Sequence, residues 1–496
     1  MRLAAGLLGA LLLATVALRG AAPVTMNHDV GWILHVAERI LDGGAYPTDW
    51  VDVNPPGVFW LHVPPVALAR AVGAPPFVVF GLVVLVAAFA AVAASVRLGA
   101  AHFAPLRGDS GWLTGAALAA VLVLGPGYAY GQREHLFSIA ALPYLTAAAI
   151  RLERGSLSRT ACIAIGAAAG VGFAIKPFFL LAWLAVEGLL LFRLGRDAPM
   201  RPESLALISV LTAYGAALLA FASPYFGVVT EAATLGLHGY DMPVSWLFWN
   251  WSIGVGIAAA CAYAVWRPPE RALHAVLLTA AAALWAGAAV QRRGWEYHFL
   301  PVDLVASCSL VLLAMSALVS SRPAESVWRA RLLAVGWLAV LCGSAAALVT
   351  PLVRDPGPRA AFLAQLVQTT REGAAGRPVL FLSTSVWPAY PIVNASGSAS
   401  TSRFSCLWQL PAFEFAQSRP RDAEARFMDA FFEDLSRRPP ALIFVDRARL
   451  KQGFGQRVFD LLAYFGRDPR MTPVLAEFEM WRDVGPYLVL RRRSAP

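Results

Sequence analysis

Charged side chains in this chain are confined to short connections between long apolar runs, and that spacing limits the possible folds more than any motif does. Asp, Glu, Lys and Arg make up 15% of the 496 residues, against 58% that are hydrophobic. A helix needs roughly 20 apolar residues to cross about 30 Å of hydrocarbon, and about eleven stretches meet that need. They are residues 3–23, 76–97, 112–130, 135–150, 160–175, 177–192, 204–222, 245–266, 272–291, 299–319 and 331–350. The balance excludes an ordinary soluble domain and predicts an α-helical polytopic membrane protein with about eleven transmembrane helices. The run after Met1-Arg2 resembles a signal peptide, but Ala21-Ala22-Pro23 is a weak cleavage site, so the run is read as a retained first helix.

Basic residues near the span ends set the expected orientation. Arg2, Arg97, Arg107, Arg151, Arg154, Arg159, Arg193, Arg196, Arg201, Arg267, Arg271, Arg322, Arg329 and Arg331 all fall on one side of an eleven-span chain. That side is expected to be cytoplasmic in a bacterial inner membrane. Residues 24–75, the other even-numbered turns and everything after residue 350 then lie on the periplasmic, extracytoplasmic side. The stretch 58–73 is too interrupted to span and reads as an interfacial helix, with Trp60 and His62 near the headgroups.

Residues 1–350 form the expected transmembrane domain, with 24–75 as its first outer loop, and composition changes at about residue 351. Residues 351–496 read as a small α/β domain. Val379–Leu382, Ala441–Val445 and Tyr487–Leu490 have the apolar pattern of buried strands, and Asp422–Leu435 that of an amphipathic helix. The Arg491-Arg492-Arg493 run on an extracytoplasmic domain points to anionic lipid or a solvated rim, and no nucleic acid partner is expected. Four of the five cysteines lie in apolar spans, so no disulfide framework follows. No phosphate-binding Gly-rich loop is present.

The outer turns carry the chemistry. The first reads His28-Asp29, with Asp29 where the first span leaves the membrane. A carboxylate there is suited to taking a proton from a hydroxyl or binding a cation, and equally to capping the helix expected from Val30 to Leu41. Asp49, Asp52 and Asn54 follow in a turn-rich stretch before Pro55-Pro56. The next outer turn places Arg133, Glu134 and His135 at the mouth of a span, where Arg133 could hold a phosphate oriented by Glu134 or His135. The alternative there is a simple Arg133–Glu134 pair whose charged heads snorkel to the interface.

Lys176 stands out because the chain has only one other lysine, Lys451, among 41 basic residues. A compact ammonium acts on phosphate as a point charge. Tyr240 and Asp241 flank a longer outer loop, followed by Trp246, Trp249 and Trp251. Between the ninth and tenth spans stand Arg292, Arg293, Glu296, Tyr297 and His298, cations on a side that is otherwise poor in them.

With these residues the sequence resembles the GT-C glycosyltransferases, and most closely the bacterial branch related to protein O-mannosyltransferases and aminoarabinose transferases. Asp29 followed by Gly43-Gly44-Ala45-Tyr46-Pro47 and Asn54-Pro55-Pro56-Gly57 is similar to that family's acidic first loop and Pro-Pro interfacial helix. Gln132 to His135, Lys176-Pro177 and Gln291 to Pro301 are similar to later landmarks. The resemblance covers roughly residues 1–320. It implies a polyprenyl-phosphate sugar as donor, Asp29 as the catalytic acidic residue, and Lys176, Arg292, Arg293 and His298 near the donor phosphate. It leaves Asp49 and Asp52 both open as the second acidic position. A tandem Asp-Glu pair is absent, with His28-Asp29-Val30 in its place, and Asn54 stands where aminoarabinose transferases carry a lysine.

The expected reaction is an inverting displacement that moves sugar to an envelope lipid or glycan acceptor. No cofactor is required by the sequence, although a divalent cation on Asp29 with His28 or His298 is compatible with it. The competing reading is a transporter or flippase of a lipid-linked sugar. That reading calls for ionisable groups deep in the spans, where Glu187, expected to pair with Arg193, is a rare example.

Overall fold

The computed structural model describes residues 26–235, 240–248, 251–319, 357–415 and 421–493. The spans expected at 3–23 and 331–350, and His238 with Trp249, fall outside the described residues. The described residues divide into two compact units, one holding residues 78–219 and 242–319, the other 26–77, 220–235, 240–241 and 357–493.

The first unit is a helix bundle. Its helices are α3 (Pro76–Gly99), α4 (Gly108–Leu124), α5 (Arg133–Leu152), α6 (Arg159–Ala174), α7 (Leu180–Leu194), α8 (Pro202–Phe221), α10 (Trp251–Trp266), α11 (Arg271–Gln291) and α12 (Leu300–Val319). Among the described residues six segments are long and apolar enough to cross a membrane: Pro76–Gly99, Arg133–Leu152, Pro177–Leu194, Pro202–Phe221, Arg271–Gln291 and Glu296–Val319. Three of the other expected spans form shorter apolar helices, α4, α6 and α10. Gly125 ends α4 earlier than expected, and the Gly127–Ala129 turn follows it.

Small residues let the helices approach closely. A Cβ on Gly166 would stand 2.1 Å from the Glu203 carbonyl oxygen of α8, one on Gly170 2.8 Å from Val210, and one on Gly172 2.7 Å from Ala140 of α5. Gly166 and Gly170 form a small-xxx-small pair of the kind that packs helices in lipid, where burying apolar surface supplies no drive. The contacts draw α5, α6 and α8 together and bring their charged ends within reach of one another.

The second unit is built from three separated stretches of chain. Helix α1 (His28–Leu41) and helix α2 (Gly57–Val72) come from the first loop, and α9 (Pro224–Leu235) from the middle. Asn27 caps α1, its Oδ1 accepting the Asp29 and Val30 amides at 3.0 and 3.3 Å. The cap is therefore two residues earlier than the Asp29 reading, and Asp29 stands inside the first turn. There a carboxylate is favoured by the helix dipole. The expected interfacial helix is α2, ended by Gly73 in the left-handed region at φ 66°.

The rest of the unit is an α/β domain with α13 (Gly357–Ala374), α14 (Ala389–Ser396), α15 (Arg421–Arg437) and strands β1 (Val379–Leu382), β2 (Leu442–Asp446), β3 (Phe478–Val484) and β4 (Tyr487–Arg492). The sheet order is β1-β2-β4-β3, with β1 and β2 parallel and the other pairs antiparallel. The central strands are unbroken apolar runs because both of their faces are covered. Phe381 and Phe444, paired in register, stack at 4.4 Å. Leu235 of α9 joins Phe404, Phe427, Phe431 and Phe465 in the core.

The first loop is fastened to this domain. Arg39 donates to the Ser402 carbonyl at 3.1 Å and to that of Ser400, and Asn394 donates to the Gly31 carbonyl at 2.9 Å. Gly31 leaves little room there, since a Cβ would meet Asn394 Nδ2 at 3.0 Å and Tyr390 at 3.2 Å.

Candidate functional site

The bundle gathers its cations around Glu134. In the first turn of α5 that residue has no exposed surface, and its Oε1 accepts from Lys176 Nζ at 2.9 Å. Arg133 Nε lies 4.0 Å from Oε2, an oxygen with no hydrogen-bond partner among the described residues. The local Arg133–Glu134 pair of the sequence reading is thus present, and Lys176 adds a longer-range and closer partner. Lys176 reaches Glu134 because it sits in extended backbone between α6 and the Pro177–Phe179 turn. Proline fixes that break and restarts the helix.

Tyr297 closes the cluster, with the Arg133 guanidinium carbon and Lys176 Nζ each 5.8 Å from its ring centroid. His298 packs edge-on against Tyr297 at 4.6 Å, and its Nδ1 has no hydrogen-bond partner among the described residues. Lys176, Arg133 and Arg293 all lie within electrostatic reach of that imidazole. The bend that delivers these groups depends on Gly294, at φ 64°, where a Cβ would collide with Met242. Arg292 and Glu296 stay exposed. His135 serves as a brace: its Nδ1 accepts the Gly131 amide at 3.0 Å and its Nε2 donates to the Leu122 carbonyl at 2.7 Å.

At the other end of α5 a second cluster is arranged differently. Arg151 forks Glu203 at 2.8 and 3.2 Å, and Arg201 bridges Glu203 at 3.3 Å to Glu187 at 2.6 Å. Tyr144 and Ser204 also donate to Glu187. The expected Glu187–Arg193 pair is replaced, because the start of α8 presents Arg201 while Arg193 stays exposed beside Phe192.

In the second unit the acidic residues of the first loop divide by role. Asp49 accepts the Ala45 amide at 2.9 Å, Arg437 at 3.0 Å and Arg438. Burial pulls its carboxyl upward, but the Ala45 amide and the two arginines outweigh this and hold it below the usual range. Asp52 accepts Trp32 Nε1 at 2.6 Å and the Asn54 amide and side chain at 2.7 and 2.6 Å. Both carboxylates tie the loop together. Asp29 keeps a partly exposed side chain, 18% accessible, with His28 Nε2 at 3.7 Å. Tyr240 is buried beside Gly453, while Asp241 is exposed. No group of three or more His, Cys, Asp or Glu that could hold a metal ion occurs among the described residues.

The polar residues at the carboxyl ends of β1 and β2, Ser383, Thr384 and Asp446, were not singled out from sequence. Their signal was available, since Ser383-Thr384 and Asp446 stand at the ends of unbroken apolar runs.

The described residues form a bundle of long apolar helices, a first loop carrying helices and a small C-terminal α/β domain, an arrangement shared with solved structures. Among solved structures, ArnT from Cupriavidus metallidurans bound to undecaprenyl phosphate is similar to this chain at TM-score 0.53 and 12% identity, covering 98% of this chain and 97% of that one. The same protein in the apo state matches at TM-score 0.50 and 12% identity, covering 93% and 92%. No sequence-family description and no curated protein matches the sequence.

Proposed function

We propose that this protein is a membrane glycosyltransferase that moves a sugar from a polyprenyl-phosphate donor to an envelope lipid or glycan on the outer face of the cytoplasmic membrane. The observation that carries this reading is the cation-rich cluster of Lys176 and Arg133, anchored on the buried Glu134 in a fold shared along nearly the whole chain with ArnT. Holding cations at a membrane edge is costly unless they serve an anionic group. The solved ArnT was bound to undecaprenyl phosphate, which is such a group.

In this reading Asp29 takes the proton of an acceptor hydroxyl as its oxygen attacks the anomeric carbon. The bond from that carbon to the phosphate oxygen breaks, and its electron pair leaves with the polyprenyl phosphate. Lys176, Arg133, Arg293 and His298 stabilise the charge that develops there, the larger electrostatic contribution. One displacement inverts the anomeric centre. Asp49 and Asp52 act by shaping the loop, and the α/β domain lies on the periplasmic side.

The test is sugar transfer in nanodiscs, with undecaprenyl-phosphate sugars and an envelope-glycan extract, comparing the native chain with Asp29→Asn. Transfer lost in a variant that keeps its melting temperature supports the assignment, and equal turnover in both removes Asp29 from catalysis. A native protein that moves intact donor across vesicles without releasing polyprenyl phosphate would be a transporter instead.

A further inference from the structure

The parallel pairing of β1 and β2 brings Ser383-Thr384-Ser385 and Asp446 out of the sheet at one edge. In open α/β sheets that is the edge where ligands bind. Ser383 Oγ donates to Asp446 Oδ2 at 3.1 Å, Asp446 Oδ1 accepts the Ala448 amide at 2.9 Å, and Tyr487 lies against Ser383. The Leu407 amide donates to the Ser383 carbonyl at 2.9 Å, which brings the turn carrying Gln409 alongside.

Among the described residues three polar atoms in these segments are buried without a hydrogen-bond partner: Thr384 Oγ1, Gln409 Oε1 and Trp387 Nε1. Thr384 is 1% exposed and Gln409 6%. Such orphans are rare in folded proteins. Three in two adjoining segments mark a surface shaped for something other than the chain itself.

The mixture of groups identifies the ligand chemistry. A hydroxyl that gives and accepts, an amide oxygen that accepts and an indole N–H that gives match the alternating demands of sugar hydroxyls. A phosphate would want donors only and would meet the Asp446 carboxylate. A peptide strand would need a free sheet edge, but the Val379–Ser400 bridge covers that side of β1. The partly exposed indole of Trp387 adds an apolar surface of the kind that meets the face of a pyranose ring.

The cluster also adjoins the first loop through the chain. Phe404 bridges Val51, and two residues later the half-buried Cys406 lies in the fields of Asp29 and Asp52. A ring held at Ser383 and Gln409 is thus seated on the segment that runs past the candidate base.

We propose that the carboxyl ends of β1 and β2 form a recognition site for a sugar ring of the acceptor, held by Thr384, Gln409, Trp387 and Asp446. Its assignment to the acceptor rests on the transferase reading above.

The test is saturation-transfer NMR on the full chain in nanodiscs with D-galactose, D-mannose and N-acetyl-D-glucosamine as probes. At least one should bind. Thr384→Val and Gln409→Leu should each weaken it about tenfold, the effect of losing one hydrogen bond in a buried site. Trp387→Phe, which keeps a ring and deletes the N–H, serves if either variant melts early. Binding of none of the sugars, or equal binding in all variants, overturns the site. A sugar signal abolished by saturating undecaprenyl-phosphate-linked sugar would assign the site to the donor and overturn the acceptor role. Undecaprenyl phosphate binding, followed separately by thermal shift, keeps the two readings apart. Sugar binding without it would retain this site and remove the transferase assignment, and the reverse would remove the site alone.

Discussion

The two ends of helix α5 hold the same kinds of charged group and put them to different use. At the Arg151 end two arginines meet two carboxylates, and every oxygen of Glu187 and Glu203 has a donor. At the Arg133 end Glu134 is the carboxylate to which Lys176 and Arg133 both turn, with Arg293 in electrostatic reach of the adjoining His298. A closed network stabilises the packing of α5, α7 and α8. A cation-rich one is tolerated where charge arrives from outside. On the proposed function, structural and functional charge are told apart by how completely each carboxylate is matched, since burial is similar at both ends.

Arg201→Met should break that comparison most severely. It leaves Glu187 and part of Glu203 buried without their cation, a change that costs about 3–5 kcal/mol. The check is the melting temperature in detergent, which should fall sharply together with the yield of folded protein. Lys176→Met should act in the opposite sense, lowering sugar transfer about 100-fold or more, as expected when a charge-stabilising group is removed. Its melting temperature should fall less than that of Arg201→Met, because Arg133 still faces Glu134. Equal loss of folding in both variants would erase the distinction.

The second unit extends the contrast to pH. His35 is buried, and burial first, then Arg39 and Arg438, hold its pKa well below the usual value. Its Nε2 accepts the Ser400 amide at 3.4 Å, which requires a lone pair there. The folded imidazole binds its proton more weakly than the unfolded one. Stability is therefore full above about pH 6.5 and falls below it, by up to about 1.4 kcal/mol per pH unit. Melting curves from pH 7.5 to 5 should show that slope, and His35→Gln should flatten it. The smallest effect belongs to Asp49, whose partly exposed arginine partners are screened by salt. Asp49→Asn should cost about 1 kcal/mol or less at 0.5 M salt and somewhat more at low salt. The Arg201 network, buried in the bundle, should show no such dependence.

The helices were legible because an apolar run of membrane length has few other uses. The parallel strands were legible for the same reason, as unbroken runs between turns. Strand β3 was not, because Phe-Glu-Met-Trp-Arg-Asp-Val carries polar residues on an edge open to solvent. Its one signal is Gly485, at φ 54° in the turn before the apolar β4. In the candidate site Lys176, Arg133 and His298 announced themselves as charges at span ends. Their partners did not, since Lys176 meets Glu134 across 42 positions and Glu187 passes over Arg193 for Arg201. Local spacing cannot decide between such partners. The roles of Asp49 and Asp52 were hidden likewise, because the arginines that claim Asp49 lie in another part of the chain.

That last pairing has a consequence for how the protein is made. Asp49 closes on Arg438 across 389 positions, so the loop carrying Asp29 waits on the ribosome for its fastening. At about 5–20 residues per second the delay is roughly 20 to 80 s. The bundle helices can insert during that time while the candidate base remains unset. A nascent chain therefore fastens the loop that carries its candidate base only after nearly all of it has been synthesised.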